Sequence, residues 1–295
     1  MTRSISDVAR SAGIGAGAGG PGVIGPAAGP SRRETALVTG ASSGLGVAFA
    51  RQLAQRGFDL VLVARRVDRL TALAAELSRE HGVEAIALGC DLGSPVAIEG
   101  LLAELRDRGL EIDVLVNNAG AAAHRPLLAS SWQTLEGQLQ LNIGAVVQLT
   151  RALAERMSER RKGHILNVAS IGAFLPVPGF ATYAAAKAFV RSFSEAVAEE
   201  LSRSGVRVCC LSPGGVDTEF FQVAGQEVDP WMRLALMSPA RCARIGLRAL
   251  FGCRRSIVSG YSNALAMFAT RFLPRWLLAM VAGLLMSRPR PLDAT

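Results

Sequence analysis

From Glu34 onward the chain alternates short, β-branched apolar runs with longer stretches in which apolar residues recur at spacings of three and four. The runs are Thr35–Gly40, Asp59–Arg65, Glu84–Asp91, Val114–Gly120, His164–Ser170, Val206–Pro213 and Ser256–Gly260. They are nearly continuous in their apolarity, the pattern of strands covered on both faces rather than wetted on one. Helical periodicity falls at residues 44–57, 67–81, 95–109, 131–160, 180–204 and 238–251. This succession predicts an α/β fold with a seven-stranded parallel sheet and helices on both of its sides. No breaker-rich linker divides residues 34–264, which therefore read as one domain.

The two ends depart from that pattern. Residues 1–33 are rich in Gly, Ala, Pro and Ser and hold no apolar run, so they read as a flexible, disordered tail without the hydrophobic stretch of a signal peptide. Near the other end, Trp276 to Met286 is apolar but eleven residues long, and Pro274 with Arg271 and Arg275 interrupts its extension backward. A bilayer core takes about 20 residues, so residues 265–295 read as a helical extension and not as a span. Two placements stay open for it: packed over the body or a partner subunit, or lying in a membrane surface with its arginines at the headgroups.

Composition sharpens this picture. With 50% hydrophobic and 19% charged residues in 295, the chain has the makings of a large core and is not a disordered protein. Its formal charge of +8 raises nucleic acid as a partner, but the excess is not in the body. Residues 1–33 and 265–295 each hold four Arg and one Asp, whereas residues 34–264 hold 24 basic and 22 acidic side chains. No nucleic-acid partner is expected from a body so nearly neutral. Five cysteines with no CxxC pair read as reduced thiols of a cytoplasmic chain, and the three scattered histidines predict no metal site. Of the 32 basic residues only Lys162 and Lys187 are lysine, so a lysine at a chemically demanding position stands out.

Chemistry gathers where the predicted strands end. The first runs into Thr39-Gly40-Ala41-Ser42-Ser43-Gly44-Leu45-Gly46 just before a helix. Glycines in such a turn let backbone N–H groups and a helix N-terminus approach a pyrophosphate, although tight βα turns also use glycine for steric reasons alone. The second run ends in Ala64-Arg65-Arg66 with no carboxylate at its tip. An acidic residue there suits the ribose 2′-hydroxyl of NAD, whereas Arg suits a 2′-phosphate, so NADP(H) is expected in preference to NAD(H). The alternative is that Arg65 and Arg66 are solvated residues at a helix start. Further on, Tyr183 and Lys187 lie four apart on one helix face, thirteen residues beyond Ser170 at the end of the fifth run. A free phenol has a pKa of about 10, and proton exchange near neutrality needs about 4 kcal/mol of differential stabilisation of its anion, a direction of shift that a fixed cation nearby supplies together with the positive nicotinamide ring of the oxidised cofactor.

These motifs together resemble the short-chain dehydrogenase/reductase family in its single-domain form, over roughly Arg33 to Gly260. The resemblance implies a doubly wound Rossmann fold and hydride transfer between a nicotinamide and a carbonyl or carbinol carbon. It places the glycine turn at Gly40, Ser42, Ser43, Gly44, Leu45 and Gly46, an adenine contact at Asp91-Leu92, and the NNAG element at Asn117-Asn118-Ala119-Gly120. The segment Pro213-Gly214-Gly215-Val216-Asp217-Thr218 matches the family's embrace of the nicotinamide. Ser170, Tyr183 and Lys187 fall on the active-site trio, and Asn142 on the family's fourth catalytic residue, which holds a water leading to the lysine. Tyr183 and Lys187 count as cofactor contacts as well. Taken one by one, Asn142 also reads as a helix residue bonding backbone, Asn117-Asn118 as turn residues and Pro213-Gly214 as a strand end.

The expected activity is NADP(H)-dependent reduction of a carbonyl, or the reverse. Family members close to the bacterial 3-oxoacyl and hydroxysteroid reductases are the nearest in pattern. The lid segment Gly215 to Met237 holds Phe220, Phe221, Val223, Trp231, Met232, Leu234, Leu236 and Met237, and Ala173 to Pro178 adds a second apolar stretch. An apolar, lipid-like or acyl ketone fits such a lining, and simple lid packing accounts for it equally. A non-catalytic NADP-binding sensor or scaffold is the other functional reading, which the intact Ser170, Tyr183 and Lys187 disfavour. Family habit implies a homodimer or homotetramer formed through the helices at 131–160 and 180–204.

Overall fold

A computed structural model describes residues 32–225 and 236–286. Seven parallel strands form one sheet: β1 (Thr35–Thr39), β2 (Asp59–Ala64), β3 (Ala85–Gly89), β4 (Val114–Asn117), β5 (Gly163–Val168), β6 (Val206–Ser212) and β7 (Ser256–Val258). Their spatial order is β3-β2-β1-β4-β5-β6-β7, so the chain reverses its winding between β1 and β4 and the fold is the doubly wound Rossmann arrangement. Each strand ends earlier than its apolar run. Gly40, Arg65, Asp91, Asn118 to Gly120, Ser170 and Pro213 have all left the ladder at its C-terminal edge, where a parallel sheet opens its ligand crevice.

Strand residues alternate between two cores. Val38, Leu62, Val116, Leu166 and Leu211 face one side, and Leu37, Val61, Leu115, Ile165 and Val208 face the other. The first side is covered by α1 (Gly44–Ala54), α2 (Val67–His81) and α8 (Pro239–Phe251), the second by α3 (Pro95–Asp107), α5 (Ala145–Glu159) and α6 (Ala181–Glu200). Helix starts follow local chemistry. Ser94 accepts from the Ala97 N–H and Ser238 from the Arg241 N–H, each with a proline next in sequence at the first helical turn. α2 stops at Gly82, whose φ of 63° is left-handed.

The helix expected over residues 131–160 is not continuous. It consists of α4 (Trp132–Leu139), a π-helical segment Gln140–Gly144, and α5. Asn142 sits in the wide turn, fully buried, its amide nitrogen donating to Ala121 O at 2.7 Å and Gln138 O at 2.9 Å. An inward-facing asparagine that bonds a neighbouring loop opens the regular ladder locally, and periodicity alone does not reveal it. The C-terminal extension also starts earlier than expected, with α9 (Tyr261–Ala269) followed, after a turn ending before Pro274, by α10 (Arg275–Met286). A four-residue helix α7 (Phe220–Val223) precedes the undescribed stretch 226–235. The N-terminal tail, as far as Ser31, lies outside the described residues.

Phe49 on α1 is fully buried against the sheet, close to the spot where α8 brings Gly246 against Leu211 and Leu166. Phe49→Ala is expected to lower unfolding stability by about 3–5 kcal/mol, read from urea midpoints with an unchanged m-value.

Candidate active site

The crevice is built first by glycine. Gly40 and Gly44 take φ values of +66° and +54°, and a side chain on Gly40 would meet Asn118 and the Ala119 backbone at 2.9–3.2 Å. A Cβ on Gly46 would lie 2.1 Å from Gly40 O, so α1 can start against the turn only with glycine there. Thr39 fastens this corner, its buried hydroxyl donating to Val116 O at 3.2 Å and accepting from the Asn118 and Ala119 N–H groups at 2.9 and 3.0 Å. Asn118 returns a bond from its amide to Thr39 O at 2.9 Å. The first turn of α1 has no side-chain cap and no acidic residue, so its N–H groups are left to an anion at the cavity wall.

The rim beside this turn is basic. Arg66 donates to Ser42 Oγ and to Glu219, both at 3.2 Å, and Arg69 donates to Glu219 at 3.1 Å. Those two guanidinium groups hold the Glu219 carboxyl below the usual carboxylate range, Arg69 contributing most. Arg65 is exposed at the tip of β2 and lines the same cavity. Thr218 on the facing loop comes so close that a Cβ on Gly44 would meet it at 2.9 Å.

The proton-bearing groups stand at the end of β5 and on α6. Ser170 Oγ accepts from the Gly172 N–H at 3.1 Å, which leaves its own proton to donate. Lys187 is 4% exposed, donates to Val168 O at 3.0 Å, and sits 5.8 Å from the Tyr183 ring centroid. Behind them is Asn142 Oδ1, buried and without a protein partner. A Cβ built on Gly120 would fall 2.8 Å from that oxygen and 3.2 Å from Lys187 Nζ, so both point into one small space. Burial pushes the Tyr183 phenol up to about 12 against the opposing effect of Ser170, and the same cause pushes Lys187 down to about 8. Among the protein's own groups desolvation dominates and favours the protonated phenol; the acidification expected from the sequence draws on Lys187 together with the positive nicotinamide ring of an oxidised cofactor.

A polar chain lies underneath. Asn117 donates to Thr150 Oγ1 at 3.0 Å and Asn167 Oδ1 at 2.9 Å, Asn167 to Ser194 Oγ at 2.9 Å, and Ser194 to Val190 O at 2.6 Å. It ties β4 and β5 to α6 below Tyr183 and Lys187. On the far side, Gly214 donates its N–H to Ser259 Oγ at 3.2 Å, while Asn263 donates to Ser259 O at 2.8 Å, which secures the loop after β6.

All of this surrounds a cavity of about 600 Å³. Its lining includes Gly40, Ser42, Ser43, Gly44, Leu45, Arg65, Arg66, Asp91, Leu92, Asn118, Ala119 and Gly120 at one end, and Ser170, Tyr183, Lys187, Pro213, Gly214, Val216 and Thr218 at the other. Of the residues the sequence assigned to catalysis or to the glycine turn, Gly46 and Asn142 are absent from the wall: the first packs α1 on its turn, the second stands behind Gly120. Asn117, Asp217 and Met237 do not line it either. Leu175, Val177, Phe180, Phe220, Phe221 and Leu236 make an apolar annex. Trp231, Met232 and Leu234 lie outside the described residues. Sequence reasoning missed Thr39 as a clamp, Asn167, Ser259 and Glu219. Asn167 alone left a trace, as a polar residue inside an apolar strand. Among the described residues no group of three His, Cys, Asp or Glu is placed to hold a metal.

A doubly wound sheet with a glycine turn at its switch point, and a serine, tyrosine and lysine beside it, defines a dinucleotide-dependent oxidoreductase. The chain matches the short chain dehydrogenase family over residues 34–229, and it belongs to that family. It is 35% identical over 208 residues to a very-long-chain 3-oxoacyl-CoA reductase of Anas platyrhynchos, covering 69% of this chain and 66% of that protein. The matched stretch thus spans just under two thirds of that relative's length. A serine 3-dehydrogenase of Agrobacterium fabrum is 39% identical over 191 residues, covering 63% of this chain and 73% of its own. Among solved structures, a short-chain dehydrogenase from Sphingobium yanoikuyae in complex with NADPH superposes with a TM-score of 0.74 at 33% identity, covering 89% of this chain and 98% of that one.

In the cofactor-free protein the phenol of Tyr183 is expected to stay protonated until about pH 12. The tyrosinate absorbance of wild type minus Tyr183→Phe should be flat through pH values near 10, where a free phenol ionises; a step there would show that burial does not govern this group.

Proposed function

We propose that the protein reduces an apolar ketone with NADPH, Tyr183 acting as general acid and Ser170 as the second donor to the carbonyl oxygen. The observation that carries this reading is the convergence of Ser170, Tyr183, Lys187 and the Asn142 carbonyl at the junction between the polar cavity and its apolar annex. The cavity suits a dinucleotide: two glycines with left-handed φ, uncapped N–H groups at α1 and a basic rim are the features a pyrophosphate and a 2′-phosphate require. When bound, the nicotinamide supplies the hydride. A phenol held protonated is the right resting state for a group that must give a proton to a developing alkoxide. Lys187, charged at neutral pH, steadies the phenolate left behind and donates to the ribose. Asn142, with both amide protons spent on backbone, offers only its oxygen, which suits it to hold a water that returns a proton toward Lys187.

Arg65 and Arg66 support the preference for NADPH, with distinct parts. Arg66 is already paired with Glu219, so Arg65 carries the larger share of 2′-phosphate binding in this reading. Subunit pairing through α4, α5 and α6 is the assembly favoured by exposed Trp132 and Leu139 on α4 and Phe189 on α6.

NADPH oxidation against a panel of ketones tests the activity. Tyr183→Phe should lower kcat by about 10²–10⁴-fold while leaving NADPH binding intact; undiminished turnover would remove the mechanism. Arg65→Ala should weaken NADPH binding about 10-fold or more without weakening NADH binding, and an unchanged ratio would move the 2′-phosphate elsewhere. The pH dependence has a definite sign. Lys187, lowered to about 8, is an ammonium below that value and a neutral amine above it, so NADPH affinity should fall as pH rises through about 8 and be flat in Lys187→Met.

A further inference from the structure

The outermost layer of the fold has its polarity reversed. On α9, Tyr261, Leu265 and Phe268 form a stripe at helical spacing that is 95%, 70% and 53% exposed. On α10, Trp276, Met280 and Leu284, spaced by four, are 69%, 51% and 73% exposed. Phe272 and Leu273, between the helices, are exposed as well. Met267, Leu278 and Ala282 are buried and hold the two helices on the body, so both helices are apolar on their inner and outer faces. Isolated exposed apolar residues need no explanation, but nine in two consecutive helices and their connection, Val281 included, make a surface that water does not favour.

Charge says what covers it. Between residues 261 and 286 the only charged side chains are Arg271 and Arg275, and there is no Asp or Glu. Arg271 lies 5.7 Å from the Phe268 ring centroid, so a cation borders the aromatic surface. A second copy seated face to face would bring the same arginines together with no carboxylate to meet them. An anionic bilayer surface supplies both an apolar phase and the countercharge. Tyr and Trp are the side chains that settle at the headgroup boundary. With nine and twelve residues, the helices are about 14 and 18 Å long at 1.5 Å per residue, against about 30 Å of hydrocarbon. No helix among the described residues is long and apolar enough to cross a membrane. The helices suit a position in the plane of the interface.

We infer that α9 and α10 dock the enzyme on an anionic lipid surface, and that the docked face adjoins the apolar annex so that a lipid-dissolved ketone reaches the site from the bilayer. The link is Gly283 on α10, where an added Cβ would lie 3.3 Å from Pro178. Pro178 follows Val177, which lines the annex with Leu175 and Phe180. The second half of this inference rests on the proposed ketone reduction, whereas the docking does not.

The test is flotation of the full chain with phosphatidylcholine vesicles, with and without phosphatidylglycerol, beside sedimentation velocity without lipid. Wild type should float with the anionic vesicles. Phe272→Glu/Trp276→Glu should bind them roughly 100-fold more weakly, and Arg271→Gln/Arg275→Gln about 30-fold more weakly. Turnover of a water-soluble ketone should be unchanged in all three, which separates lost docking from lost folding. With an apolar ketone dissolved in the vesicles, the Glu variant should show a raised KM and an unchanged kcat. Equal flotation of wild type and the Glu variant overturns the docking. So does a wild type that floats with neither vesicle, including one whose self-association the Glu substitutions abolish, since a second copy would then cover the face. If docking holds but no ketone is reduced, the proposed activity fails and the docking stands.

Discussion

One buried hydroxyl sits at the point where the sheet reverses its winding. Thr39 closes the gap between β1 and β4 by accepting the Asn118 and Ala119 N–H groups and donating to Val116 O, so these groups at the corner are satisfied before a ligand arrives. Without it, Asn118 and Ala119 would present unpaired donors inside a low-dielectric corner, at a cost of about 1–3 kcal/mol each. Because the clamp fixes the spread of the two strands, it also fixes the distance between the glycine turn on one side and Gly120, with Lys187 behind it, on the other. The positions of the chemically active groups follow from that spread.

Below the crevice, burial sets the charge states. Lys187 and Tyr183 are both withdrawn from water, and desolvation favours the neutral form of each. The polar chain from Asn117 through Asn167 to Ser194 satisfies its own buried groups and joins β4 and β5 to α6, so the strand ends and the helix that carry Ser170, Tyr183 and Lys187 are tied together by fixed hydrogen bonds. A side-chain carbonyl left unpaired in this neighbourhood, Asn142 Oδ1, is held there by the π-helical turn.

Much of this was readable in the chain. Strand runs such as Asp59–Arg65 and Val206–Pro213 are apolar on both faces because the sheet is covered on both, and their overshoot past the ladder marks the residues that turn out to line the crevice. Lys187 stood out against a background of arginine, and its burial explains why a compact ammonium is used there. What the sequence concealed was of a different kind. The break in the 131–160 helix depends on Asn142 bonding Ala121, a residue from another segment, and no periodicity encodes a partner. Glu219 reads as one more surface carboxylate until the fold brings it to Arg66 and Arg69, about 150 residues away in the chain. The electrostatic state of Tyr183 was likewise invisible, since it depends on how completely the surrounding elements exclude water.

The small parallel bridge between Val216 and Met237 has a wider meaning. Asp217 N–H donates to Met237 O at 3.0 Å and Met237 N–H to Gly215 O at 2.9 Å, so the segment that lines the annex is stapled shut at its base. Whatever lies between these two residues can lengthen or change composition while the sheet, the clamp and the proton-bearing groups stay as they are. Closing a loop twice as long costs only about 0.6 kcal/mol more. The bridge therefore separates the inheritance of the chemistry from that of the substrate preference: one scaffold can exchange its recognition loop by insertion and deletion, and descendants with new specificities need not rediscover how to move a proton.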